Sequence, residues 1–110
     1  MTYYGKSREK KSVLLNSHTD VVPVDEKFWK CDAFEGIIDE KGDIYGRGIQ
    51  DMKSVGIQHL ELIRKMKQNN IRPDRTIHLT FVPDEEIGGQ TGWFHFIFEF
   101  LVNFDLNFTI

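Results

Sequence analysis

The pattern of apolar and polar residues predicts two buried strands joined through a helix. Residues 13–16 begin with three apolar residues and end in a polar one, which is typical of a buried strand. Residues 75–82 alternate large apolar side chains with threonine and histidine, which predicts a second strand. Between them, residues 51–69 place apolar side chains at spacings of three and four, the period of an amphipathic helix. Strand, helix and strand in this order predict an α/β fold.

Three further segments have patterns of their own. Residues 36–39 and 43–46 surround a turn that contains Gly42, and this pattern predicts a β-hairpin. The Phe-rich tail, residues 94–110, places its apolar side chains mainly on one parity, which predicts a strand with one apolar face. Residues 1–11 are polar, and we expect them to form a mobile segment.

Composition indicates one small globular domain, because 40% of the 110 residues are hydrophobic and 28% are charged. The formal net charge of −3 does not favour a nucleic-acid partner. The chain has no apolar run of about 18 residues, and its first residues lack the apolar core of a signal peptide, so no membrane association is expected. The single cysteine, Cys31, excludes an internal disulfide and indicates a reduced, cytoplasmic setting.

The first group of residues that can carry chemistry follows the first predicted strand. His18 and Asp20 are two residues apart, so an extended chain places both side chains on the same side. A histidine nitrogen can bind a metal while a neighbouring carboxylate orients the ring. For this pair alone, an ordinary loop histidine beside an aspartate is the favoured alternative.

A second group lies between the hairpin and the predicted helix. Gly46 and Gly48 precede Asp51, and glycines at such positions allow the backbone to approach a ligand closely. An aspartate at the start of a helix is equally well explained as an N-cap.

The third group consists of three adjacent carboxylates, Asp84, Glu85 and Glu86, directly after the second strand. Their mutual repulsion is offset either by solvent or by a divalent cation, with one carboxylate kept as a general base. Open α/β sheets place their sites at the C-terminal ends of the strands, where we expect all three groups to meet. Histidine nitrogen with carboxylate oxygens suits Zn²⁺, and Co²⁺ or Mn²⁺ can substitute.

Three segments together resemble one known family. In chain order they are LLNSHTDVVPV, IYGRGIQDMKSVGIQHLE and RTIHLTFVPDEEIGG. They are similar to the co-catalytic zinc peptidase and amidohydrolase family, which includes carboxypeptidase G-like enzymes and acetylornithine deacetylase, and they are most similar to its aminoacylase branch. The resemblance covers residues 12–92, between a polar segment (1–11) and a tail outside the resemblance (93–110). It implies an α/β fold, namely part of a three-layer catalytic domain of a sheet with packed helices, without the inserted dimerisation domain.

The resemblance also implies roles for five residues. His18, Asp51 and Glu86 resemble zinc ligands, and Asp51 resembles the carboxylate that bridges the two metal ions. Glu85 resembles the general base, and Asp20 resembles the residue that orients His18. The peptide bond that follows the bridging aspartate is cis in the family.

These roles imply metal-dependent hydrolysis of the amide bond of N-acyl-L-amino acids at a site with two Zn²⁺ ions. The family takes two further ligands, an acidic residue and a histidine, from later in its chains, and its full-length members are expected to be homodimers. We therefore expect an incomplete ligand set here. His59, His78 and His95 are weak candidates to complete it, because structural histidines are commoner than ligands.

Two other interpretations stay open. In the first, the chain is a non-catalytic fragment that binds metal weakly. In the second, it is a truncated isoform that associates with a full-length relative. Both agree with the expectation that sheet edges and helix faces remain exposed.

Overall fold

The computed structural model describes residues 1–104 and 108–109, which form a small α/β structure. The strands and helices in chain order are β1 Thr2–Tyr3, β2 Ser12–His18, β3 Ile37–Ile38, β4 Ile44–Tyr45, α1 Ser54–Gln68, β5 Ile77–Val82, α2 Trp93–Phe104 and β6 Phe108–Thr109. Within these residues, one sheet has the order β1-β5-β2-β6 and a separate two-stranded sheet pairs β3 with β4. The predicted α/β class is confirmed.

The parallel pair of β2 and β5 forms the centre of the sheet. Val13 lies opposite Ile77 at the start of the pair, and His18 lies opposite Val82 at its end. Both strands therefore end at the same edge, and the loops that follow them are neighbours. This confirms the predicted strand–helix–strand unit, with β2 extending to His18.

Helix α1 packs on the face of this pair that carries the odd-numbered residues of β5. Ile63 of α1 is buried with Ile77 and Leu79, and Tyr3, Leu15 and Met66 pack around them. The helix can approach closely because Gly56 has no side chain. A Cβ atom at that position would lie 2.9 Å from Ser17 Oγ and 3.2 Å from Phe81 Cε1. Close packing of α1 on β2 therefore depends on a glycine in mid-helix.

We expect Leu79→Ala to lower the free energy of unfolding by about 2–5 kcal/mol, because it removes a fully enclosed side chain from a small core. Leu79 is 1% exposed, whereas Ile57 on the outer part of α1 is 59% exposed. Urea unfolding followed by circular dichroism measures both changes, with Ile57→Ala as the control that should lose much less. A loss for Leu79→Ala no greater than that of the control would contradict this assignment of the core.

Helix α1 begins three residues later than the pattern predicts. Residues Ile49–Lys53 form a wide turn before it, in which Asp51 (φ −122°) and Met52 (φ −137°) have non-helical backbone angles. The spacing of apolar residues does not reveal this turn, because the helical pattern is formed by Val55 and the residues after it.

The expectation of a mobile N-terminal segment is wrong for Thr2–Tyr3. These residues form β1, which pairs antiparallel with β5 through Tyr3 and Ile77. Tyr3 also packs against the core. The lysine-rich part that follows is largely exposed, as predicted, and Lys6 lies 3.6 Å from Asp74. Two residues are too few to produce a recognisable apolar period, so the free edge of β5 decides this pairing.

The prediction of a strand for the Phe-rich tail is wrong over residues 94–104. Trp93–Phe104 forms helix α2, and Phe108–Thr109 forms β6, which pairs in parallel with Ser12 and Val13. Residues 105–107 and 110 lie outside the described part. A segment so rich in apolar side chains satisfies a period of two and a period of 3.6 about equally well.

The predicted hairpin is confirmed. β3 and β4 pair antiparallel, with Ile38 opposite Ile44. The carboxylate of Asp39 closes the turn by accepting hydrogen bonds from the amides of Lys41 and Asp43, each at 2.9 Å. Among the described residues, no helix is long and apolar enough to cross a membrane.

Candidate metal centre

The centre is built at the edge where β2 and β5 end. β2 delivers His18 as its last residue, and the loop after β5 begins directly opposite it. The wide turn before α1 brings Asp51 to the same place. Placement at the carboxyl ends of parallel strands is the usual position for sites in open α/β sheets.

His18 is buried, and both nitrogens of its ring have partners. The exposed fraction of the residue is 3%. Nδ1 lies 3.0 Å from the main-chain oxygen of Asp20, and Nε2 lies 3.0 Å from Oδ1 of Asp51. A carbonyl oxygen can only accept a hydrogen bond, so Nδ1 carries the proton and donates a hydrogen bond to the main-chain oxygen of Asp20. In the neutral ring, Nε2 therefore presents a lone pair to the carboxylates, which is the form that binds a metal.

Nearby carboxylates shift the titration of this histidine. Burial lowers the pKa of His18, but the carbonyl of Asp20 and the carboxylates of Asp51 and Glu85 raise it by more. The net pKa lies above the ordinary value for histidine. The carboxylates around the ring thus favour positive charge there.

Asp51 reaches the site from a turn of unusual backbone geometry. Its side chain is 72% exposed, and the peptide bond between Asp51 and Met52 is cis, as the resemblance implies. The preceding Gly48 has a positive φ of 84°, and a Cβ atom there would lie 2.5 Å from Cγ1 of Val21. Among the described residues, this glycine therefore makes room for the chain's own Val21. Asp51 is not an N-cap, because α1 has Lys53 at that position without a side-chain hydrogen bond.

The three carboxylates after β5 point in different directions. Glu85 and Glu86 begin a short 3₁₀ turn, and Oε2 of Glu85 lies 3.6 Å from Nε2 of His18. Asp84 is buried and faces the start of α2. The repulsion noted in the sequence is relieved partly by this separation.

Asp84 is a helix anchor that sequence reasoning missed. Its carboxylate accepts hydrogen bonds from the amides of Thr91, Gly92 and Trp93 and from the hydroxyl of Thr91, at 2.7–3.2 Å. Burial raises the pKa of Asp84, but these bonds lower it by more, so the pKa lies below its ordinary value. The available signal was an aspartate seven residues before a Thr-Gly pair that begins an apolar run.

We expect Asp84→Asn to lower the thermal midpoint of unfolding by several degrees, because an amide group cannot accept all four hydrogen bonds at the start of α2. Helix content near 222 nm should fall with it. Asp74→Asn is the matched control, since that carboxylate is exposed and lies near two lysines. An equal midpoint for both variants would contradict the anchoring role.

Asp20 connects two parts of the site. Its main-chain oxygen accepts a hydrogen bond from Nδ1 of His18. Its carboxylate accepts hydrogen bonds from the amides of Glu85 at 3.2 Å and Glu86 at 2.9 Å. Burial raises the pKa of Asp20, but the amides of Glu86 and Glu85 lower it by more. Asp20 is therefore ionised at neutral pH.

Three side chains form a group that can hold a metal ion. One ligand atom each from His18, Asp51 and Glu86 lies within 4.8 Å of the others. One imidazole nitrogen and two carboxylate oxygens are a donor set that suits zinc. All five residues singled out in the sequence thus meet at one edge of the sheet. The ammonium group of Lys53 donates a hydrogen bond to the carbonyl of Thr19, a link between two site loops that the sequence did not predict.

The other three histidines lie elsewhere. His59 is half-buried on α1 and His95 is exposed on α2. His78 is buried in β5, with Nδ1 3.0 Å from Oγ1 of Thr2. Burial lowers the pKa of both His59 and His78. Within the described residues, none of the three joins the metal-binding group.

The chain is similar in sequence to known proteins. The model of Peptidase family M20/M25/M40 matches residues 14–108, a range that extends into the Phe-rich tail. Aminoacylase-1 of Mus musculus is 55% identical over 92 residues, which cover 84% of this chain and 22% of the mouse protein. Aminoacylase-1 of Dictyostelium discoideum is 53% identical over 90 residues, which cover 82% of this chain and 22% of that protein. The chain thus spans 22% of the length of either relative.

Proposed function

This chain belongs to peptidase family M20/M25/M40, and on that basis we propose that it carries part of the active site of a zinc-dependent amidohydrolase. The proposed reaction is hydrolysis of the amide bond of N-acyl-L-amino acids, the activity that the name of its aminoacylase-1 relatives indicates. The observation that carries the proposal is the convergence of His18, Asp51 and Glu86 within 4.8 Å.

The donor chemistry of this group fits zinc. His18 would bind through Nε2, because Nδ1 is committed to the carbonyl of Asp20. Asp51 would bind through its exposed carboxylate. Glu86 would bind through its half-buried carboxylate. When bound, zinc supplies positive charge that polarises a carbonyl oxygen and lowers the pKa of water.

Glu85 is the proposed general base. Its side chain is about half exposed, and its carboxylate lies 3.6 Å from Nε2 of His18, beside the metal-binding group but outside it. A carboxylate in this position can take a proton from an attacking water and return it to the leaving amine nitrogen. The amide C–N bond breaks, and a carboxylic acid and a free amino acid are released.

The wider setting is also part of the proposal. We place the reaction in the cytoplasm, because Cys31 is a free thiol. We assign two zinc ions to the complete site and homodimers to the full-length relatives. In this view, the acidic and histidine ligands expected from later in family chains complete the set begun by His18, Asp51 and Glu86.

Zinc titration of the purified chain, followed by an assay of N-acetyl-methionine hydrolysis, tests the proposal. We expect zinc to bind at the group defined by His18 and, because the ligand set of this chain is incomplete, we expect zinc-loaded protein to release methionine only slowly. Calorimetry gives the stoichiometry, and reaction of the free amine with a chromogenic reagent gives the rate. A chain that stays folded but binds no zinc would exclude this function, whereas zinc binding without methionine release would show that hydrolysis needs the ligands expected from later in family chains.

A second candidate function is association with a longer relative as a non-catalytic isoform. Ile57, Leu60 and Phe81 leave apolar surface exposed along α1 and β5, beside a groove of about 200 Å³. Such surface favours burial against another chain. Analytical ultracentrifugation of the chain alone and mixed with a full-length aminoacylase-1 distinguishes the two candidates. Unchanged sedimentation in the mixture would count against association.

A further inference from the structure

The carboxylate of Asp20 makes its shortest contacts with the turn that carries both glutamates. The amide of Glu86 donates to Oδ2 at 2.9 Å, and the amide of Glu85 donates to Oδ1 at 3.2 Å. Nδ1 of His18 is 3.5 Å from Oδ1, but only 3.0 Å from the main-chain oxygen of the same residue. Because an N–H···O bond normally spans 2.7–3.2 Å, the ring is held by the carbonyl.

We propose that Asp20 is a positioning residue whose carboxylate holds Glu85 and Glu86 in place, while its main-chain carbonyl holds the ring of His18. The two functions belong to different atoms of one residue. The consequence for catalysis rests on the proposed function, in which Glu85 is the base and Glu86 a ligand. The positioning itself is a property of the folded chain.

The physical need for such a clamp follows from the turn itself. Glu85–Ile87 is a 3₁₀ turn, and the first amides of any helical turn lack partners within it. Two adjacent glutamate carboxylates also repel each other, which favours opening of the turn. An ionised acceptor on a neighbouring loop satisfies both amides with charge-assisted hydrogen bonds, which are stronger than neutral ones.

The hydrogen bonds of the Asp20 carboxylate also fix the distance between the loop after β2 and the loop after β5. Asp20 lies two residues after the end of β2, and the glutamates lie three and four residues after the end of β5. On the far side of the turn, the amide of Gly89 donates to the main-chain oxygen of Asp84 at 2.7 Å. Release of the Asp20 carboxylate frees the near side alone, so Glu85 and Glu86 shift together relative to His18.

Nuclear magnetic resonance of the full chain tests the proposal without metal or substrate. The measured quantities are amide hydrogen exchange of Glu85 and Glu86, and the ¹⁵N shifts of the His18 ring, which report its tautomer. In Asp20→Ala, we expect both amides to exchange roughly tenfold faster or more, because each loses a hydrogen bond to a charged group. The ring should keep its proton on Nδ1.

Asp20→Asn gives a graded version of the same test. The amide oxygen can accept from one of the two N–H groups, whereas its nitrogen cannot accept from the other. We expect faster exchange at one glutamate amide and a smaller change at its neighbour. This nearly isosteric variant answers the question even where the alanine variant fails to fold.

Asp39→Ala is the matched control for Asp20→Ala, because the Asp39 carboxylate also accepts two turn amides, in the hairpin. This variant should speed amide exchange at both Lys41 and Asp43 and leave exchange at Glu85 and Glu86 unchanged. Unaltered exchange at both glutamates in the Asp20 variants, together with a changed His18 tautomer, would overturn the proposal and make the carboxylate the partner of the ring. If the unmutated chain does not bind zinc, the proposed function is refuted, but the positioning role of Asp20 is not.

Discussion

Replacing His18 with alanine lowers the affinity of the chain for zinc by about 100-fold or more, because it removes the nitrogen ligand of the metal-binding group. The ring is buried and its Nε2 lies 3.0 Å from Oδ1 of Asp51, so this nitrogen is held beside the carboxylates of the group. The affinity is measured by competition with a chromogenic chelator. Asp51→Ala should produce a loss of similar size, since Asp51 supplies an oxygen of the same group.

His59→Ala is the matched control for this prediction. His59 is half-buried on α1 and lies outside the ligand group, so its loss should leave zinc affinity unchanged. Circular dichroism of each apo variant separates a lost ligand from a lost fold. Equal zinc affinity of the His18→Ala and His59→Ala variants would place the metal elsewhere in the chain.

Replacing Glu85 with glutamine slows the hydrolysis of N-acetyl-methionine by about 10²–10⁴-fold, the usual contribution of a general base. The amide keeps the shape of the side chain but cannot accept the proton of water. Zinc affinity should be retained, because Glu85 lies beside the group formed by His18, Asp51 and Glu86 and not within it. Rates of methionine release by zinc-loaded protein, measured with affinity on the same samples, check both parts.

Glu40→Gln provides the control for Glu85→Gln. Glu40 is an exposed carboxylate in the turn of the hairpin, so the change removes the same charge away from the site. Its rate should equal that of the unmutated chain. If Glu85→Gln loses zinc binding and hydrolysis together, Glu85 is a ligand. If neither changes, the base is another group.

The chemistry of the site could be predicted from short motifs because each motif follows a strand. His18 ends β2 and Glu85 follows β5, and two parallel strands of one sheet necessarily end at a common edge. The structure brings all five predicted residues to that edge. What the motifs do not contain is the direction of each side chain. Asp84 turns inward to α2 while Glu85 turns toward His18, although the two are neighbours in the chain.

By itself, the sequence determined the parts of this protein that depend on local pattern. These are the strand–helix–strand unit, the hairpin and the residues whose atoms can bind a metal ion, because apolar periodicity and side-chain chemistry are readable over a few residues. Tertiary structure alone decided the parts that depend on distant partners. Tyr3 became strand because β5 had a free edge, and the Phe-rich segment became helix where Asp84 met its first amides. In the same way, the carboxylate of Asp20 meets the amides of Glu85 and Glu86 only once both strands are paired, since 65 and 66 residues separate them in the chain.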